Sequence, residues 1–81
     1  MSSKQQKTLL EMNRGESGVI VSLSGGNGFC NRMENLGIRP GKTVTKICSQ
    51  PLNGPIQIKI ENIQIAIGRG MANKIIVECE S

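Results

Sequence analysis

Between Gly54 and Ile67 the chain reads Gly-Pro-Ile-Gln-Ile-Lys-Ile-Glu-Asn-Ile-Gln-Ile-Ala-Ile. Isoleucine fills every second position of two runs, Ile56 to Ile60 and Ile63 to Ile67. Alternation at period two puts all the isoleucines of a run on one face of an extended strand, whereas a helix would scatter them. Only Glu61 and Asn62 separate the runs, and Asn tolerates the left-handed conformation of a tight hairpin turn. This stretch is therefore expected to be an antiparallel hairpin with one apolar face. In a chain of 81 residues, enough for one domain, the hairpin makes the protein a small β-structure.

The core has to be aliphatic. Phe29 is the one aromatic residue, while 11 Ile, 5 Leu and 4 Val supply apolar volume; Ile and Val favour strands. Net charge is +4, but the basic residues are dispersed. That pattern reads as a solvated surface rather than a nucleic-acid patch. Small barrels that grip single strands stack bases on aromatic rings, and one Phe cannot build that platform. The same shortage argues against docking of Pro-rich peptides. The three cysteines, Cys30, Cys48 and Cys79, are odd in number and widely spaced, so no disulfide framework follows. The first twenty residues lack the apolar stretch of a signal peptide, and apolar runs stop at three residues. A reducing cytoplasm is the expected location.

Residues 1–7 are polar and are expected to be a disordered N-terminal tail, with the domain over 8–81. Thr8-Leu9-Leu10-Glu11 has the form of a capping box, with Leu9 and Met12 on one face. A first strand is expected at about 17–24, where Val19, Ile20, Val21 and Leu23 populate both faces. Gly25-Gly26-Asn27-Gly28 breaks it. Asn27 is placed to cap a helix whose core face is Phe29, Met33 and Leu36 and whose wet side is Asn31, Arg32, Glu34 and Asn35. Gly37 fits the C′ position and Ile38 its closing apolar contact. Arg39-Pro40-Gly41-Lys42 suits a type II turn. In the strand that follows, at about 42–49, Val44 and Cys48 share a face with Lys46 while Ile47 opposes them. That requires a bulge or two partly covered faces. After the hairpin, Gly68 to Asn73 form a turn, with room for one helical turn. A last strand at 74–80 sets Ile75, Val77 and Cys79 on one face and Ile76, Glu78 and Glu80 on the other. The expectation is a mainly β fold of about five strands with one short helix after the first. Closing the sheet on itself hides its edges, so a small, partly open SH3-like barrel fits best.

Chemistry is scarce. The chain has no His, the commonest general base and a favoured ligand for transition metals. No Cys-x-x-Cys pair marks a zinc or redox site. Cys79 reads as a buried structural thiol and Cys48 as a sheet residue; Cys30 follows a glycine-rich loop, where a helix N-terminus can activate a thiol. Gly25-Gly26-Asn27-Gly28 lacks the Lys-Ser/Thr pair and the spacing of a phosphate loop, and reads as a strand-to-helix turn. The six glutamates are scattered. No catalytic residue and no metal ligand set is assigned, and the protein is read as a non-enzyme.

The order of these elements resembles the FeoA family, small cytoplasmic proteins of bacterial ferrous-iron transport. The resemblance covers residues 8–80. It rests on Thr8-Leu9-Leu10 leading to Gly15-Glu16-Ser17-Gly18 and Val19-Ile20-Val21, on Gly25-Gly26, and on Arg32-Met33-Glu34-Asn35-Leu36-Gly37-Ile38-Arg39-Pro40-Gly41. Pro51-Leu52-Asn53-Gly54-Pro55-Ile56 and Ile75-Ile76-Val77 complete it. Lys46 departs from the family pattern, standing in a strand slot that is usually apolar, and so do Cys30 and Cys48. The resemblance implies an SH3-like barrel that acts as an accessory or regulatory module. Its implied partner is FeoB, the membrane permease for Fe(II), on whose cytoplasmic part it would dock, without inserting in the membrane itself. The surface expected to do this is Asn27, Arg32 and Asn35 on the helix with the loop Leu52, Asn53 and Gly54, Leu52 serving as apolar anchor. The alternative is a free-standing Fe(II)- or Mn(II)-responsive sensor related to the SH3-like domain of metal-dependent repressors. Those chains carry a winged-helix region first, whereas about seven residues precede the domain here. A weakly held Fe(II) or other transition metal belongs to that alternative; a thiol switch at Cys30 or Cys48 is a third reading.

Overall fold

The computed structural model of the protein describes residues 4–49 and 54–80. Strands β4 (Ile56–Ile60) and β5 (Ile63–Ile67) form the expected hairpin, paired in register from Ile60↔Ile63 to Ile56↔Ile67. Ile56, Ile58 and Ile60 of β4 are all buried. The left-handed residue of the turn is Glu61, at φ +56°, rather than Asn62. On β5 burial grades from Ile67, buried, to Ile63, exposed.

The other elements are β1 (Lys4–Thr8), a 3-10 turn (Leu9–Glu11), β2 (Ser17–Leu23), α1 (Asn27–Asn35), β3 (Thr43–Ser49), α2 (Arg69–Ala72) and β6 (Ile75–Glu80). All six strands belong to one antiparallel sheet in the order β1-β6-β2-β3-β4-β5. The fold is the mainly β, open-sheet form of the SH3-like class. The sixth strand is β1, where the sequence leads one to expect a frayed tail. Lys-Gln-Gln-Lys-Thr has little strand propensity of its own; residue-by-residue pairing with β6, from Lys4↔Glu80 to Thr8↔Ile76, orders it.

Two bulges resolve the ambiguous strands. On β2 the register slips between Ile20 and Ser22, leaving Val21 extra against β6. On β3 it slips between Lys46 and Cys48, leaving Ile47 extra against β4. Each extra residue reverses which face the following side chains use. The core gathers residues from every strand except β1, with Leu9, Met12, Met33 and Ile38 closing it, all at most 4% exposed.

A charge stands inside this core. Lys46 is 6% exposed. Its Nζ donates to the backbone oxygens of Met12 at 2.7 Å and Leu10 at 3.0 Å, which end the 3-10 turn capped by Thr8 and Glu11. The box itself is complete: Glu11 N–H donates to Thr8 Oγ1 at 3.2 Å and Thr8 N–H to Glu11 Oε1 at 2.8 Å.

Beside it, Glu16 Oε1 accepts from the Asn13 N–H at 2.8 Å, and Oε2 from Lys7 Nζ at 3.2 Å. The Asn13 amide first, and then Lys7 against the opposing effect of burial, hold this carboxyl below the usual carboxylate range. Its contribution is complete above the unfolded value and is lost as pH falls through the folded one. Glu16→Gln is expected to cost about 1–2 kcal/mol at neutral pH. Wild type and variant should converge in urea titrations only once the pH has fallen below that lowered folded value, where the wild-type carboxyl is protonated as well.

Candidate functional site

The end of α1 turns an apolar side chain outward. Gly37 adopts φ +90°; its N–H donates to Glu34 O at 3.0 Å, and the Ile38 N–H to Met33 O at 2.9 Å. These are the paired bonds of a Schellman motif, and Ile38 is its buried closing contact. Leu36 is the C-cap. At about 100° per residue it lies roughly 60° around the helix from Met33. Met33 is buried, whereas Leu36 is 41% exposed. The assignment of Leu36 to the helix core face is thus corrected: it stands on the boundary of that face.

The hairpin tip supplies the opposite wall. Ile63, 58% exposed, lines one cleft of roughly 250 Å³ together with Leu36, Gly37, Arg39, Lys42 and Glu61. The type II turn fixes the approach of Arg39 and Lys42: Gly41 sits at φ +94°, and the Lys42 N–H donates to Arg39 O at 3.2 Å. Lys42 Nζ then bonds Glu61 Oε1 at 2.7 Å. That hydrogen bond, with the lysine's charge, holds the Glu61 carboxyl below its ordinary range. Both groups are well exposed, so the pair orients the rim rather than stabilising the fold. Arg39 Nε donates to Glu34 O at 3.4 Å. The result is an apolar floor with a guanidinium and a lysine on its rim against one carboxylate. It has no nucleophile and no acid–base pair; it suits an apolar side chain with an acidic neighbour.

Of the residues singled out in the sequence, Asn27, Arg32 and Asn35 are exposed on α1. Asn27 is the first helical residue; Gly26 is the N-cap, without a side-chain bond. Gly54 lies half-buried ahead of β4. Leu52 and Asn53 fall outside the described residues. Leu36, Ile63, Arg39, Lys42 and Glu61 were not expected as a site. The available signal was their position at element ends: Leu36 directly before Gly37, Ile63 directly after the hairpin turn. Cys79 is buried, and Cys30 and Cys48 are half-buried and unbridged. Among the described residues no group of three or more His, Cys, Asp or Glu could hold a metal ion, and no helix is long and apolar enough to cross a membrane.

The FeoA domain family matches residues 7–79. The chain belongs to the FeoA family. Over 64 residues it is 39% identical to a protein designated Fe(2+) transport protein A of Methanocaldococcus jannaschii, covering 79% of this chain and 76% of that one. Over 70 residues it is 34% identical to an Fe(2+) transport protein A/Fe(2+) transporter FeoB fusion protein of Porphyromonas gingivalis; this covers 86% of this chain and 8% of the fusion. A solved iron uptake regulatory protein, FeoA, superposes with TM-score 0.81 at 28% identity, over 95% of this chain and 99% of that one. A prokaryotic SH3 domain FeoA of Stenotrophomonas maltophilia (TM-score 0.74, 23% identity, 86% of this chain and 87% of that one) and a manganese-dependent transcriptional repressor (0.85, 17%, 95% and 43%) share the fold.

Proposed function

We propose that this FeoA-family chain is a non-enzymatic accessory module of ferrous-iron uptake that docks from the cytoplasm on the FeoB permease. The observation that carries the docking surface is the pairing of two exposed apolar side chains, Leu36 and Ile63, in a cleft rimmed by Arg39, Lys42 and Glu61. The occupant is a cytoplasmic segment of the permease with an apolar anchor and an acidic neighbour. The Porphyromonas gingivalis relative, in which the two functions share one polypeptide, supports the partnership. Asn27, Arg32 and Asn35, with the loop Leu52, Asn53 and Gly54, are proposed as flanking contacts.

The test is retention on the immobilised cytoplasmic portion of the cell's own FeoB, with GTP and with GDP. Wild type should be retained. Leu36→Asp and Ile63→Asp should each weaken retention about tenfold or more, since a buried apolar anchor dominates a small interface. A nucleotide dependence would make the docking regulatory. Undiminished retention of both variants, shown folded by circular dichroism, would remove this surface. The shared fold with a manganese-dependent repressor supports the sensor reading as second. Saturable NMR shifts around Cys30 or Glu34 on anaerobic Fe(II) titration would favour it.

A further inference from the structure

The two edges of the sheet are built differently. β1 carries Lys4 and Lys7. Lys7 lies across from the buried Val77, so its side chain leaves the strand on the core side, where it meets Glu16 at 3.2 Å. Lysines and inward-pointing charges are devices that keep a strand edge from pairing with another chain. β5 has neither: Ile63-Gln64-Ile65-Ala66-Ile67 contains no charge, no Pro and no Gly.

The backbone of β5 is also presented for pairing. A two-residue loop makes Ile60 and Ile63 a pair that exchanges both backbone bonds, and bonded pairs recur at every second position, Ile58↔Ile65 and Ile56↔Ile67. The N–H and C=O groups of Gln64 and Ala66 therefore point away from β4. Both residues are exposed, and no turn or loop bond among the described residues uses their backbone groups.

We propose that β5 pairs with β5 of a second copy, antiparallel and centred on Ile65, to form a two-fold symmetric dimer with one continuous sheet. The sequence is self-complementary in that register. Gln64 faces Ala66 of the second copy, so all four outward backbone groups on each strand find partners. Ile65 faces its own counterpart, and the exposed Ile63 gains Ile67 of the second copy. Centring on any other residue of β5 shortens the overlap of the two strands. The pairing is symmetric, closed and isologous, so it stops at two copies.

The test follows mass by light scattering across a concentration series and reads amide exchange at Gln64 and Ala66. The expected result is a rise from 8.7 kDa towards twice that mass, with those two amides becoming protected. Ala66→Pro deletes an N–H that the monomer does not use for pairing, and should hold the protein monomeric. Gln64→Lys with Ala66→Lys places like charges across the two-fold and should do the same without touching the backbone. Mixing that variant with Gln64→Glu/Ala66→Glu should restore association. A monomer at every concentration, association that leaves both amides unprotected, or dimers that survive the double lysine variant would each overturn the proposal.

Discussion

Lys46→Ala is expected to destabilise the protein by about 3–4 kcal/mol, the largest loss for any polar position in the described chain. The side chain is 6% exposed and pairs on β3 with Ile58 of β4, which is fully buried. Its stem fills core volume while its ammonium serves the Leu10 and Met12 carbonyls at 3.0 and 2.7 Å. Truncation leaves a cavity and two poorly satisfied acceptors together. Lys46→Met keeps the volume and removes only the donors, so it should cost about 1–2 kcal/mol. It also removes the expense of holding a charge there. The difference between the two variants in urea unfolding separates stem from charge; equal losses would mean that the carbonyl contacts alone matter. Burial first, and then Arg69, lower the Lys46 pKa, with Glu16 opposing. The sign is the reverse of the usual lysine case. Between the lowered folded value and the ordinary value near about 10.4, the unfolded chain binds more protons, so this residue's contribution to stability rises with pH. Lys46→Met should remove that alkaline rise.

Gly18→Ala is expected to cost about 2–3 kcal/mol although it adds one methyl group. Gly18 is buried on β2 between β3 and β6, opposite Val44. A Cβ there would stand 2.6 Å from Cys79 Sγ and 3.0 Å from Glu78 O. The thiol has little room to yield: Cys79 is 2% exposed, and burial, followed by the Glu16 carboxylate, raises its pKa. Cys79→Ala in the Gly18→Ala background should therefore recover part of the loss, leaving the backbone contact. The double-mutant cycle should show a favourable coupling above about 0.5 kcal/mol. Additive losses would show that the strain lies in the backbone rather than against sulfur.

Much of this structure was legible in short-range chemistry. The Ile hairpin, the Thr8–Glu11 capping box, the Gly37–Ile38 helix end and the Arg39–Lys42 turn each follow from residues within a few positions of one another. The mixed parity of β3 called for a bulge or covered faces, and the bulge at Ile47 is what forms. The misses have a common cause, dependence on distant partners. β1 is ordered by β6, more than sixty residues away along the chain. Lys46, out of place in an apolar slot, is satisfied by carbonyls of the 3-10 turn. Leu36 sits at helical core spacing yet meets water because the core ends at Met33 and Ile38. The cleft is legible only once Leu36 and Ile63 are brought together, and no local pattern does that. The proposed contacts on α1, Asn27, Arg32 and Asn35, were readable as exposed from the helical period.

Because Lys4 lies directly across from Glu80 in the β1–β6 pairing, the described chain starts and finishes at one spot. The β5 edge belongs to the other end of the strand order, and its first residue, Ile63, lines the cleft. A polypeptide attached at either end would thus leave from the same corner and meet the same geometry. For a partner carried on a tether, the order of the two modules along the gene would matter little, and the length of the linker would govern how often the cleft is reached.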